Sequence, residues 1–199
     1  KGVSILVVSK TLLSRKVFNI RSVPGMEFID FFPSAVFNCS LSLADICANI
    51  IAKKLGINNI KSITKACEEM GKTYILNDAS DFLVKTEILI LPGNGNFETG
   101  IKLIKDLKFD KLIYDFYNSK KKIITICLGL HLLMNDSEEA KGIKGLSLIK
   151  GSVKKIDDKN FKIPLLGWYD VNFRNKNFKT KSFFFNNSFK VVPEDLSII

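Results

Sequence analysis

Between residues 74 and 135, short apolar segments alternate with segments of helical periodicity, and this alternation constrains the fold more than any other feature of the sequence. Strands are predicted at 74–76, 87–91 and 122–126, and helices at 97–107, 109–119 and 128–135. Strands that alternate with helices are joined by right-handed crossovers and form a mostly parallel sheet. We therefore predict an α/β fold in which a central parallel sheet is flanked by helices, with functional residues at the carboxyl ends of the strands.

The segments on either side of this region are less regular. Residues 3–8 predict a buried strand, the spacing of apolar residues from Leu43 to Leu55 predicts a helix over 43–55, and a second helix is predicted over 60–70. In the C-terminal third, strands are predicted at 146–149, 153–156, 165–173 and 183–189, and a turn at 191–195. We interpret these later strands as an antiparallel extension of the same domain.

The composition fits a folded domain with a strong positive charge. The chain has 199 residues, of which 46% are hydrophobic, enough for a sizeable core. Its net charge of +10 suggests nucleic-acid binding. However, only Arg15, Arg21 and Arg174 are arginines, the residues best suited to phosphate, so this is the weakest interpretation. Apolar runs are too short to span a bilayer and the first residues lack a signal-peptide layout, so we expect a cytoplasmic protein.

The cysteines suggest packing rather than chemistry, with one exception. Cys39, Cys47, Cys67 and Cys127 form no Cys-x-x-Cys pair and the chain has one histidine, so neither a metal nor another cofactor is expected. At Cys127, however, a predicted buried strand runs directly into a predicted helix. This pattern is typical of a nucleophile elbow, in which the thiol stands above the sheet edge and the next N–H faces an oxyanion. The alternative is a small buried side chain at a strand end.

A glycine-rich loop follows the strand predicted at 87–91. Its sequence is Pro92-Gly93-Asn94-Gly95-Asn96, and glycine allows backbone N–H groups to approach a ligand closely. Because this loop and Cys127 both follow parallel strands, we expect them at the same edge of the sheet. A tight turn without a functional role is the alternative.

These two loops and three later segments resemble the class I glutamine amidotransferases, and among them the glutaminase subunit (HisH type) of imidazole glycerol phosphate synthase in histidine biosynthesis. The matching segments are Ile-Leu-Pro-Gly-Asn-Gly-Asn-Phe at 90–97, Ile-Cys-Leu-Gly-Leu at 126–130, Ser-Glu-Glu-Ala at 137–140, Gly-Ile-Lys-Gly-Leu-Ser-Leu-Ile-Lys-Gly at 142–151 and Pro-Leu-Leu-Gly-Trp at 164–168. The resemblance covers about residues 56–199 and implies a flavodoxin-like sheet. We therefore predict an amidotransferase-like domain at 46–199, C-terminally incomplete, and an N-terminal segment of unknown role at 1–45.

The resemblance also implies a reaction and a set of site residues. A Cys-His-Glu triad hydrolyses glutamine, and ammonia passes to a (β/α)8-barrel cyclase (HisF-like), or to another ammonia-accepting synthase, in a heterodimer. By position, Cys127 corresponds to the nucleophile and Glu139 to the carboxylate that holds the α-amino group of glutamine. His131 replaces a glutamine side chain that touches the substrate, and Ser188 corresponds to the contact with the substrate's α-carboxylate end. The residues that correspond to the oxyanion hole are Gly93, Asn94, Gly95 and Leu128.

The sequence departs from the family pattern at the site itself. Thr125 stands two positions before the nucleophile, where the family has glycine, and a β-branched residue is expected to strain the turn. The family's catalytic His and Glu belong to a Phe-His-Pro-Glu-Lys motif that these 199 residues do not contain. His131 lies one helical turn after Cys127 and is expected to point away from the geometry of attack. We therefore expect a fragment or a fused reading frame, which is impaired or inactive as a glutaminase.

Two other functions stay open at the level of sequence. One is a glutaminase subunit for a surface-glycan sugar amidotransferase, which the identity of the partner synthase would distinguish. The other is a non-catalytic scaffold that keeps the amidotransferase fold and its docking surface, which a test of glutamine turnover would distinguish.

Overall fold

The computed structural model describes residues 5–8, 21–27, 48–50, 64, 68, 74–76, 88–157, 162–172 and 181–194. The strands in these ranges are β1 (Ile5–Val8), β2 (Arg21–Glu27), β3 (Ala48–Ile50), β4 (Tyr74–Leu76), β5 (Ile88–Gly93), β6 (Lys122–Cys127), β7 (Asp136–Ser137), β8 (Gly151–Lys155), β9 (Leu165–Asn172), β10 (Lys181–Asn187) and β11 (Phe189–Pro193). The helices described with both ends are α1 (Phe97–Asp106), α2 (Phe109–Asn118) and α3 (Leu128–Leu133).

A five-stranded parallel sheet in the order β1-β6-β5-β3-β4 forms the centre of the fold. Neighbours in this sheet are not all consecutive in the chain, so crossover connections join them. β5 is buried along its whole length, and Ile123 and Ile124 of β6 are also buried. Such apolar runs are expected where helices cover both faces of a parallel sheet. The α/β prediction is confirmed.

Both long helices place one apolar face on the core. In α1 the Asn96 side chain accepts a hydrogen bond of 2.8 Å from the Thr99 N–H, which caps the helix, and Phe97, Ile101 and Ile104 are buried. In α2 the residues buried against the core are Phe109, Leu112, Ile113 and Phe116. Each helix ends one residue before the predicted position, and both predictions are confirmed.

Two three-stranded sheets contain the later strands, in the orders β10-β9-β2 and β11-β8-β7. The β9–β10 and β8–β11 pairs are antiparallel, which confirms the predicted extension. β2 and β7 join these sheets as parallel neighbours. The smaller sheet β11-β8-β7 is continuous with the main core, because Val153 of β8 packs in the same cluster as α1 and α2.

Three predictions of secondary structure are wrong. The helix predicted over 43–55 contains β3, because periodicity alone does not distinguish a short apolar strand from part of a helix. Residues 146–149 are not a strand: their N–H groups bond to carbonyl oxygens of residues 132–134, and their apolar side chains simply reach the core. The turn predicted from residue 191 begins within β11, whose last residue, Pro193, is tolerated because β11 pairs on one side only.

The remaining predictions concern the ends of elements and the less described parts of the chain. The strand predicted at 3–8 is confirmed at Ile5–Val8, which joins the central sheet beside β6. α3 ends at Leu133, short of the predicted residue 135, because Met134 is extended. Thr64 and Glu68 are helical, and the rest of the helix predicted at 60–70 lies outside the described residues, as do Cys39, Cys47 and Cys67. Within the described ranges, no helix is long and apolar enough to cross a membrane.

Candidate active site

The chain bends sharply at Cys127, between the end of β6 and the start of α3. The backbone of Cys127 has φ +52° and ψ −117°, a left-handed region that L-amino acids avoid at a cost of about 1–2 kcal/mol. Its thiol is outside any disulfide and partly exposed. Strain of this kind persists where surrounding packing enforces it, and it is concentrated at functional sites. Cys127 is therefore held at the sheet edge with its side chain accessible.

The glycine-rich loop lies directly beside this bend. Gly93 is the last residue of β5 and is the register partner of Cys127 in β6. A Cβ atom on Gly93 would lie 2.4 Å from the Gly129 nitrogen and 2.6 Å from the Leu128 Cβ. A Cβ atom on Gly129 would lie 2.0 Å from the Leu91 carbonyl oxygen. Both positions therefore require glycine, and together they let β5 and the start of α3 approach closely.

The part of the loop that follows Gly93 faces solvent. Asn94, Gly95 and Asn96 are exposed, in contrast to the buried Gly93 and Phe97 on either side. Gly95 has φ +126°, and no heavy atom would lie within 4 Å of a Cβ atom added there. Glycine is therefore favoured at this position by the backbone conformation and not by lack of space. Leu128 is buried at the start of α3, next to Gly93. The buried end of the loop therefore meets α3 at the Cys127 bend, and its exposed part is open to a ligand.

Glu139 reaches the far end of the same loop. Its Oε2 atom accepts a hydrogen bond of 3.0 Å from the Phe97 N–H, at the first residue of α1. The neighbouring Glu138 serves a different element, because its carboxylate accepts from the Lys155 N–H at 2.8 Å and pairs with Lys154 at 3.2 Å. The Glu139–Phe97 contact joins residues 42 positions apart, and no periodic signal in the sequence predicts it.

His131 lies one turn along α3 from Cys127 and is half-buried. Burial lowers the pKa of its imidazole from 6.5 to about 4, because removal from water penalises the charged form. At neutral pH this side chain is therefore uncharged. A ring with so low a pKa is a weak proton acceptor.

The structure shows the surroundings of Thr125 and Ser188, which the sequence does not predict. Thr125 is completely buried within β6, opposite Leu91 of β5, so the strand accommodates a β-branched residue two positions before the bend. Ser188 lies at the bend between β10 and β11, where its carbonyl accepts a 2.9 Å hydrogen bond from the Ile156 N–H. The structure thus brings Gly93, Cys127 and Leu128 together, places Glu139 at the end of the loop, and puts Ser188 beside the segment that follows β8.

Metal ligands are not grouped in the part of the chain that the structure describes: no set of three or more His, Cys, Asp or Glu side chains there could hold an ion. The chemistry available at the bend is that of a thiol on a strained backbone, next to backbone N–H donors and one nearby carboxylate. Such a set can attack a carbonyl carbon and stabilise the negative oxygen that results.

Comparisons with known proteins give a consistent result, although no family model matches the chain. The imidazole glycerol phosphate synthase subunit HisH of Methanocaldococcus jannaschii is 37% identical over 147 residues, 71% of this chain and 73% of that protein. The HisH subunit of Geobacillus sp. (strain WCH70) is 30% identical over 154 residues, 72% of this chain and 73% of that protein. The HisH subunit of Halalkalibacterium halodurans is 35% identical over 127 residues, and the chain spans 59% of its length.

Among solved structures, a crystal structure of a glutamine amidotransferase superposes with a TM-score of 0.54 over 70% of each chain. The sequence identity of this pair is 14%, so the similarity concerns the fold.

Proposed function

The chain belongs to the family of the imidazole glycerol phosphate synthase subunit HisH, and on that premise we propose that it binds glutamine at the Cys127 bend as the glutaminase-type subunit of a cytoplasmic heterodimer. In this proposal the partner is a (β/α)8-barrel cyclase of histidine biosynthesis that receives ammonia. The observation that carries it is the left-handed backbone of Cys127 in register with Gly93, because it sets a thiol and a glycine-rich loop side by side.

The proposed reaction begins with attack of the Cys127 Sγ atom on the side-chain amide carbon of glutamine. The carbonyl π bond opens, and the oxygen carries a negative charge that the N–H of Leu128 and the loop at 93–95 stabilise. When the carbonyl re-forms, the C–N bond breaks and a thioester results; the nitrogen leaves as ammonia, having gained the proton that the Cys127 thiol gave up. Water then attacks the thioester, releasing glutamate and the thiol.

Recognition of the amino-acid end of glutamine is assigned to three polar side chains, by their correspondence to the family's substrate contacts. The Glu139 carboxylate is proposed to hold the α-ammonium group through a charge-assisted hydrogen bond. Ser188 is proposed to contact the α-carboxylate. His131 is proposed to line the pocket as an uncharged ring, because its pKa of about 4 removes the positive charge at neutral pH.

His131 is the one histidine among these 199 residues, and the Phe-His-Pro-Glu-Lys motif of the family does not occur in them. His131 is a poor base because burial keeps its pKa near 4. The low pKa of this histidine favours a second candidate function for the 199-residue polypeptide, a scaffold that binds glutamine and its partner without hydrolysis.

The test measures binding and turnover separately on the 199-residue polypeptide. A chloroketone derived from glutamine should alkylate Cys127 with saturation kinetics, and glutamine should protect the thiol, with iodoacetamide as the reagent without recognition. Ammonia release above the level of Cys127→Ala, with or without a cyclase subunit, would support the glutaminase, and release at that level would support the scaffold. Alkylation that neither saturates nor responds to glutamine would contradict the proposal, whereas turnover well above the variant would reject the scaffold.

The partner is tested by mixing the chain with the cyclase subunit and, separately, with a sugar amidotransferase. Complex formation with the cyclase, together with faster alkylation by the chloroketone, supports the histidine pathway. Binding to the sugar enzyme alone would assign the ammonia to glycan synthesis instead.

A further inference from the structure

The exposed loop at 94–96 is anchored at both ends, by different kinds of contact. At one end Gly93 is fixed by packing, since a Cβ atom there would lie within 3 Å of both Leu128 and Gly129. At the other end the Phe97 N–H donates to Glu139, and the Phe97 side chain is wholly buried. The Glu139 carboxylate is thus one of two anchors that decide where the loop lies.

The second anchor rests on a firmly held segment. The Glu139 N–H donates to the Ser137 hydroxyl at 3.1 Å, and the Ala140 N–H donates to the Ser137 carbonyl at 3.2 Å. Ser137 is itself 4% exposed. On the other side, the Glu138 N–H donates to the Val153 carbonyl at 2.9 Å, which ties the segment to β8. Movement of Glu139 relative to the small sheet would break several of these hydrogen bonds.

The Glu139 carboxylate is a suitable acceptor for the Phe97 N–H. Phe97 is the first residue of α1, so its N–H has no acceptor within the helix. A carboxylate at this end of a helix is stabilised by the helix dipole as well as by the hydrogen bond. The Asn96 side chain accepts from the Thr99 N–H instead, so two different side chains accept hydrogen bonds from N–H groups in the first turn of α1.

We propose that Glu139 is a positioning residue for the loop at 93–96, in addition to being a ligand of the substrate. One carboxylate oxygen, Oε2, holds Phe97, and the other, Oε1, receives the α-ammonium group of glutamine. A single side chain thereby fixes the α-end of the substrate relative to the N–H donors of the loop. The ligand half of this inference rests on the proposed function, and the tether to Phe97 does not.

Two substitutions separate the two tasks. Glu139→Gln keeps one oxygen for Phe97 but presents an NH2 group to the substrate, so it should weaken recognition and spare the loop. Glu139→Ala removes both contacts. Glu138→Gln is the matched control, because it removes the charge of the adjacent glutamate, whose carboxylate contacts Lys154 and Lys155 instead.

The first measurement is hydrogen exchange of the Phe97 amide without ligand, followed by NMR. Loss of a hydrogen bond to a carboxylate should speed exchange about tenfold or more in Glu139→Ala, with little change in the other two variants. Equal exchange in the wild type and Glu139→Ala would overturn the tether.

The second measurement is alkylation of Cys127 by the glutamine chloroketone, with half-saturation and maximal rate determined separately. The attacking thiolate first adds to the ketone, and the resulting alkoxide depends on the loop N–H groups before chloride leaves. Glu139→Gln should raise half-saturation about tenfold at an unchanged maximal rate. Glu139→Ala should also lower the maximal rate about fivefold. Iodoacetamide should react equally with all variants.

Equal maximal rates in Glu139→Ala and Glu139→Gln would overturn the positioning role. Alkylation of the wild type without saturation would instead overturn the proposed function and the ligand half of the inference. The Phe97 exchange experiment uses no ligand, so it decides the tether in either case.

Discussion

His131 shows how one buried side chain limits the chemistry of the site. It is the single histidine of the chain and stands on the helix that begins at the Cys127 bend. Burial lowers its pKa to about 4, so the ring enters the folded state uncharged. An uncharged ring costs less to bury than an imidazolium would. The same low pKa makes His131 a weak proton acceptor.

The buried imidazole should make stability fall on acidification. In the unfolded chain it binds a proton near pH 6.5, and in the folded chain only near pH 4. Above pH 6.5 the ring is uncharged in both states and the free energy of unfolding is at its full value. Between pH 6.5 and pH 4 the unfolded state binds the proton more readily, so the free energy of unfolding falls by up to about 3 kcal/mol. The measurement is the free energy of unfolding in urea for the wild type and His131→Gln across this range.

The difference between these two curves isolates His131. The pKa values of Asp136 and Glu138 are also lowered, chiefly by hydrogen bonds from Ser152 and the Lys155 N–H respectively, and acid removes these contributions too. Both groups are present in the variant, so they cancel in the difference. A difference that stays constant between pH 7 and pH 4 would show that the ring is solvated in the folded chain.

At the level of elements, the site depends on how closely β5 approaches the start of α3. Gly129→Ala would place a Cβ atom 2.0 Å from the Leu91 carbonyl oxygen, a backbone atom that cannot move aside. We expect a loss of about 2–3 kcal/mol in the free energy of unfolding, measured in urea. Gly142→Ala is the control: it has open space but φ +85°, so it should cost about 1 kcal/mol through backbone strain alone. Equal losses in the two variants would refute the close contact.

The sequence predicts elements well where the signal is local. In α1 and α2 the buried apolar residues recur three or four positions apart over ten residues, and the ends of both helices fall within one residue of the prediction. β3 is misjudged because a three-residue strand is too short to show a periodicity of its own. Leu146, Leu148 and Ile149 are apolar because they reach the core, and only the tertiary structure shows that the N–H groups of 146–149 bond to carbonyl oxygens of 132–134.

The same distinction applies to the site. The neighbourhood of Gly93 and Cys127 can be predicted, because each ends a buried parallel strand and the carboxyl ends of such strands share a sheet edge. The contact of Glu139 with Phe97 joins residues 42 positions apart, with the rest of α1 and then α2, β6, α3 and β7 between them, and no spacing rule encodes it. The lowered pKa of His131 is caused by burial in the folded chain, and the sequence alone does not show how deeply a histidine is buried.

At the scale of the whole molecule, the segment between α3 and β8 connects the bend to the smaller sheet. Asn135 shows the connection: its N–H donates to the Gly151 carbonyl at 3.0 Å, and its Oδ1 atom accepts from the Gly151 N–H at 2.8 Å. Glu139 extends the same segment to α1. The contacts of this segment hold three parts of the fold together, so under the proposed function a ligand at the bend would act on all three.

Glutamine should consequently stabilise the entire chain rather than the loop alone. A ligand that binds only the folded state raises the free energy of unfolding by about 2.7 kcal/mol at one hundred times its dissociation constant. We expect this increase in urea denaturation of Cys127→Ala, in which no thioester can form. Asparagine, shorter by one methylene group, should stabilise much less at equal concentration. Adding Glu139→Gln to this variant should remove most of the effect, because the α-ammonium group loses its carboxylate. Equal stabilisation by both amino acids would mean that the bend does not recognise glutamine.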